Sequence, residues 1–358
     1  MLRAASGVVA FTLIIAVAGS ADAQAPVVIR DVRVFDGVRV VERRTVLLQD
    51  GRISRVGGPE VSTPAGATVV DGIGRTLMPG LIDAHVHLSD SAEADLAQAL
   101  RLGVTTVLDM FTAGPRFERI KAIRTADRPG LADLRTAGTG AAVPGGHPSQ
   151  MGGPPFPLIR EASEADAFVA ARVAEGSDYL KIIYDDLASF GMKVPMMDRE
   201  TLAALITAAH RHGLLAVVHV LSEAQARDAI TAGADGLVHL ATGETVSADF
   251  GAFVAAHRTF VIPTLIVSHA GCGRRVGPGL LADTTLARHI SPRWREWMSA
   301  PPRRPGDPSA CIGTDEAVRQ LARLNVPILA GTDAPAAGQT YGASIHAELE
   351  ALVGVGMT

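Results

Sequence analysis

Cysteine is almost missing from this chain: 358 residues contain only Cys272 and Cys311. Two cysteines exclude a disulfide framework and a cysteine-based zinc motif, while leaving one bridge open to an exported protein. Charge of one sign is never gathered into a block. The 33 basic and 37 acidic residues give a net charge of -4 and are mixed along the chain. No basic stripe is available for nucleic acid and no polybasic patch for a membrane surface, so a small-molecule partner is expected. The oligomeric state stays open, a homo-oligomer included. Long apolar runs are also scarce. One occurs, at residues 8–18, preceded by Arg3 and followed by Ala21-Asp22-Ala23. It is shorter than the ~20 residues of a spanning helix, and with its small-residue site it reads as a signal peptide over residues 1–23. The expectation is cleavage after Ala23, a periplasmic or secreted location, and no membrane contact afterwards.

What the chain does have is rhythm, and it changes once. Residues 24–78 hold short alternating segments broken by Asp36-Gly37 and Asp50-Gly51, which are strand and hairpin-turn signals and predict a small β-domain. After Pro79-Gly80, apolar segments alternate with helical stretches. Gly103, Gly176, Gly213 and Gly233 each close a helix just before an apolar run, as suits the left-handed position after a helix end. Ser222 is the expected N-cap of a helix over residues 223–231. Strands are expected at residues 81–86, 104–108, 134–139, 179–183, 215–218, 236–238, 260–266 and 326–330. Eight strands with alternating helices predict an α/β fold, a (β/α)8 TIM barrel over residues 79–358. Two longer stretches, residues 141–158 and 269–312, follow strands and would lie at the C-terminal face, where such barrels carry their sites.

Chemistry-bearing residues fall at those strand ends. His85 and His87 are two apart on the first barrel strand, so both imidazoles face one side. His219 closes the fifth strand, His239 the sixth, and Asp333 follows the eighth in Gly331-Thr332-Asp333-Ala334-Pro335. Imidazole and carboxylate suit a zinc-like ion. Lys181 is costly to bury charged between Leu180, Ile182 and Ile183 and therefore needs a reason to be there. His147 in Pro144-Gly145-Gly146-His147, and Tyr184 just beyond Lys181, are candidates to touch substrate or donate to an oxyanion. Arg274 and Arg275 could clamp a carboxylate, although exposed arginines are usually only solvated.

The segment from Pro79 to His87, with Lys181, His219, His239 and the Gly331–Pro335 turn, resembles the amidohydrolase superfamily. Within it, the pattern is similar to the imidazolonepropionase-like and Xaa-Pro dipeptidase (prolidase-like) branch. The resemblance implies two divalent metal ions, zinc by preference, bridged by a carboxylated Lys181. His85, His87 and Asp333 would hold one ion, and His219 and His239 the other. It further implies hydrolysis of an amide or peptide C–N bond by a metal-activated hydroxide, with Asp333 as ligand and proton shuttle. The expected substrate is a dipeptide, Xaa-Pro or N-acyl amino acid. Alternatives are a cyclic amide, lactone or carbamate hydrolase, or a metal-binding protein without turnover. Members of the superfamily continue past the last barrel helix to complete a composite β-sandwich. A chain stopping at Thr358 is therefore expected to be C-terminally truncated, with unpaired edges and reduced stability in residues 24–78.

Overall fold

The computed structural model describes residues 25–126, 128–152, 155–302 and 305–358. The expected signal peptide lies outside the described residues. The chain divides into two compact units, one ending at Pro79 and the other starting at Gly80.

Five strands make up the first unit: β1 (Val27–Phe35), β2 (Val40–Gln49), β3 (Arg52–Gly57), β4 (Thr68–Asp71) and β5 (Thr76–Leu77). They form one mixed sheet in the order β3-β2-β1-β4, with β5 also on β1. Asp50 and Gly51 make the β2–β3 turn with φ of 54° and 70°, the left-handed pair that a two-residue hairpin requires. The buried core of this unit is small, built on Val28, Leu47 and Val61.

The second unit alternates strands and helices: β6 (Leu81–Val86), α1 (Ala92–Arg101), β7 (Val104–Asp109), α2 (Pro115–Thr125), β8 (Asp133–Thr136), α3 (Ala165–Glu175), β9 (Leu180–Ile183), α4 (Arg199–Arg211), β10 (Ala216–His219), α5 (Glu223–Thr231), β11 (Gly236–Val238), α6 (Phe250–His257) and β12 (Phe260–Ile262). Six further helices follow: α7 (Leu265–Gly271), α8 (Gly277–Ala282), α9 (Thr284–Ala287), α10 (Pro292–Ser299), α11 (Ile312–Arg323) and α12 (Ala343–Gly354). All strand pairs here are parallel, in the orders β6-β7-β8 and β12-β11-β10-β9. Residues beyond β8 join the two sheets, with Ala141 N donating to Lys181 O and Ile183 N to Ala141 O. On the other side, Leu329 N donates to Val261 O, and Ala84 N to Ala330 O. Residues 327–334 thus lie between β12 and β6, touching them through single bridges rather than as a continuous strand.

Side-chain alternation sorts this unit into layers. Leu180, Ile182 and Tyr184 pack outward with Val169 of α3 and Leu202, Leu205 and Ile206 of α4. Each such buried aliphatic side chain contributes about 1.5–3 kcal/mol relative to exposure. A separate inner cluster takes one residue from or beside each of the seven strands: Ala84, Met110, Ala137, Tyr179, Val217, Val238 and Ile262.

The Ser222 cap is present as a full capping box with Gln225. Two strand expectations are corrected. The seventh strand ends at Ile262 because Pro263 lacks an N–H and Thr264 turns left-handed at φ 47°, after which Leu265 and Ile266 open α7. Residues 326–330 form no strand, since Pro327 cannot donate to a ladder. Cys272 and Cys311 form a disulfide, stapling the end of α7 to the start of α11.

Candidate metal centre

The strand ends gather the histidines. The Nε2 atoms of His85 and His87 are 3.1 Å apart, and each lies 3.1 Å from Oδ1 of Asp333. No proton placement makes all three contacts hydrogen bonds, because two imidazoles that both donate to the carboxylate would turn N–H against N–H. Three lone pairs around a cation with ligand distances near ~2.0–2.2 Å fit the triangle. Burial, opposed by the Asp333 carboxylate and reinforced by Lys181 and His239, holds the His85 imidazolium well below its usual pKa, so the ring is neutral and free to coordinate. Burial opposes ionisation of Asp333, but the imidazoles of His85 and His87 outweigh it and hold the carboxyl well below its usual range.

His239 completes the group from β11: one ligand atom each of His85, His239 and Asp333 lie within 4.8 Å of one another. Its ring centroid stands 5.0 Å from that of His85 and 4.6 Å from that of His219. His239 Nδ1 meets Thr264 Oγ1 at 2.6 Å, which leaves Nε2 for a ligand. His239, Thr264 and Asp333 have φ of 64°, 47° and 56°. Left-handed backbone at three non-glycine residues of one site is strain that the surrounding structure must hold in place.

Lys181 is fully buried, and its Nζ has no hydrogen-bond partner among the described residues. Burial, only partly offset by the Asp333 and Asp109 carboxylates, pushes its pKa down to about 7. His219 Nε2 is likewise buried without a partner, and burial holds this ring neutral too.

Buried carboxylates that the sequence reading passed over prop the site from below. Asp83 accepts from Thr332 Oγ1 at 2.7 Å, Thr332 N at 3.0 Å and His85 N at 3.3 Å. Burial nonetheless pushes its pKa up to about 7. Asp109 accepts from Leu88 N, Thr112 Oγ1 and Thr136 Oγ1. Glu348 of α12 accepts from the first two amides of α7, Leu265 and Ile266, just past Thr264. Gly331 allows residues 327–334 to pass close to β6, because a Cβ there would stand 2.6 Å from Ile262 and 2.8 Å from His85 Cβ.

Among the remaining candidates, His147 lies beside the cluster, its ring centroid 5.5 Å from that of His219. Tyr184 is corrected. Three residues past Lys181, it falls on the opposite face of the strand and packs among the outer helices. Burial together with Asp228 pushes its pKa up to about 12, and its hydroxyl, on the outer face, donates to Asp228 of α5 at 3.0 Å rather than to an oxyanion on the inner one. Arg275 is also structural, its guanidinium donating to the carbonyls of Met298 and Ala300, while Arg274 lies 3.5 Å from Asp315. Sequence reasoning missed a cavity of about 310 Å³ among the loops after β6, β7 and β8, lined by Phe111, Phe156, Met151, Arg116 and Arg119. Both of these arginines donate to Oδ1 of Asp90.

Residues 76–349 match the Amidohydrolase family, and the chain belongs to it. An enamidase of Eubacterium barkeri is 39% identical over 77 residues, 19% of this chain and 20% of that one. An imidazolonepropionase of Geobacillus sp. (strain WCH70) is 31% identical over 83 residues, 22% and 20% of the two chains. The matched stretches therefore span about a fifth of these curated relatives. Among solved structures, a Xaa-Pro dipeptidase with bound methionine in its active site superposes with a TM-score of 0.71 at 20% identity, covering 93% of this chain and 84% of that one. At that identity the likeness is one of fold.

Proposed function

We propose that this chain is a binuclear metal hydrolase of an amide or peptide C–N bond. The observation that carries the reading is a buried lysine without a partner, near enough to His85, His219, His239 and Asp333 for its charge to act on each. A (β/α)8 barrel would explain that convergence. The inner cluster drawn from every strand and the contacts of residues 327–334 with both β12 and β6 support closure.

The donor set fits the group that the family implies. His85, His87 and Asp333 would hold one divalent ion, and His219 and His239 the second, with zinc favoured by the nitrogen-rich set. Lys181 as the free amine adds carbon dioxide and loses a proton. The resulting carbamate removes the cost of an ammonium buried without a partner. Bound there, two divalent ions supply a water with its pKa lowered toward ~7 and polarise the carbonyl to be attacked. The Asp333 carboxylate accepts a proton from the attacking water and returns it to the departing nitrogen. Oδ1 already faces two imidazoles, so Oδ2 is the oxygen that carries the proton. His147, its ring centroid 5.5 Å from that of His219, would steady the substrate there.

The substrate class we favour is a dipeptide, Xaa-Pro or N-acyl amino acid. The cavity lined by Pro148, the residue after His147, offers Phe111, Met151 and Phe156 to an apolar side chain, and Arg116 and Arg119 outnumber Asp90 as a lining for a carboxylate. An exported location, periplasmic or secreted, is part of the same reading. A disulfide persists in an oxidising compartment, and the Cys272–Cys311 bridge therefore supports the leader read at residues 1–23. The first test is metal content per chain after zinc and bicarbonate are supplied, beside Lys181→Ala. Two ions falling to one or none in the variant, with turnover of dipeptides by the wild type, is the expected result. Little metal in the wild type would overturn the reading.

A further inference from the structure

Asp185 follows Lys181 by four residues, so strand parity turns it to the same inner side. Its side chain is 1% exposed. Oδ1 is held from two directions, by Leu187 N at 3.1 Å and by Gln225 Nε2 at 3.3 Å. Gln225 cannot easily swing away, because its Oε1 accepts from Leu221 N and Ser222 N in the capping box of α5. Oδ2 has no partner. It faces His219 Nε2 at 3.6 Å, and that atom is buried without a partner as well.

Buried polar atoms left unpaired are costly, and here one is an acceptor while the other is a donor whenever it carries the ring proton. A neutral imidazole has one N–H, so a carboxylate opposite Nε2 favours the tautomer protonated there and leaves the Nδ1 lone pair to coordinate. A movement of well under 1 Å would close the gap to a hydrogen bond. This is the carboxylate–histidine–metal pattern, in which the outer partner fixes the ring and raises its basicity.

We propose that Asp185, anchored by Gln225, is a positioning residue for His219: it fixes the ring proton on Nε2 and presents Nδ1 to the second metal ion. The inference rests on the two-metal reading above and adds which nitrogen coordinates and what holds it. The other half of the site, His85, His87 and Asp333, lies outside its reach.

The test is zinc titration of the full chain against a chromophoric chelator, with bicarbonate present, for wild type, Asp185→Asn and Asp185→Leu. Wild type should take two ions. In Asp185→Leu the affinity for one should fall about 10–100-fold with the other unchanged. Asp185→Asn, which keeps the shape and an acceptor oxygen, should lose less. A long-range proton–nitrogen spectrum of the zinc-loaded, histidine-labelled protein, with His219 located by its loss in His219→Asn, should place the proton on Nε2. If Asp185→Leu does not fold, the spectrum and Asp185→Asn decide. Two zinc ions in the wild type with a proton on Nδ1, or variants that weaken neither ion or both alike, would overturn the inference while leaving the two-metal reading intact. Fewer than two in the wild type would overturn both.

Discussion

The two halves of the candidate centre are built differently. On the β6 side, the three donor atoms already stand 3.1 Å apart. The backbone beneath them is tied by Asp83 and Asp109, and Tyr341 donates its hydroxyl to His87 O at 2.6 Å. On the β9–β11 side, His239 alone has a tight partner in Thr264, while Lys181 Nζ and His219 Nε2 have none. One half is preorganised by buried carboxylates acting on backbone amides. The other leaves Lys181 Nζ and His219 Nε2 unpaired among the described residues, against His85 Nδ1 in the first, which is tolerable only if a ligand, or a carbamate formed on Lys181, satisfies them.

The sharpest way to break this contrast is at Asp333, which belongs to the preorganised half and, in the proposed mechanism, carries the proton. Asp333→Asn should lower kcat/KM by about 10²–10⁴-fold, with the ion shared by His219 and His239 retained. Activity within tenfold of wild type would remove Asp333 from the proton path. A smaller effect is expected one step back. Asp83→Ala leaves the Thr332 amide and hydroxyl without their acceptor, and should weaken the ion on the β6 side by about 10–100-fold while sparing the other. Zinc titration reads both, and equal loss at the two sites would show that the halves are not independently supported.

How much of this was legible beforehand depends on periodicity. His85, His87, His219, His239 and Asp333 sit where short apolar runs end, so the strand pattern alone brought them to one end of the fold. Lys181 stood out because a cation among Leu180, Ile182 and Ile183 conflicts with burial. Asp185 was hidden in an acidic pair, Asp185-Asp186, that reads as a solvated loop. Only counting by twos from Lys181 would have singled it out. Asp83 and Glu348 were invisible for a different reason. Their roles are hydrogen bonds to backbone amides, Glu348 from a helix eighty residues distant in sequence, and no local pattern encodes them.

Tyr184 is where counting by twos should have prevailed over proximity, and it gives the smallest expected effect. Its hydroxyl lies on the helix side, bonded to Asp228, which also meets Arg199 Nε at 2.8 Å. Tyr184→Phe removes that one bond and nothing from the inner face. It should cost about 1 kcal/mol of stability in chemical denaturation, with kcat, KM and metal content unchanged within twofold. A hundredfold loss of kcat with stability intact would mean that the ring turns inward in the working enzyme, and that β9 presents Tyr184 rather than Asp185 to the open half of the site.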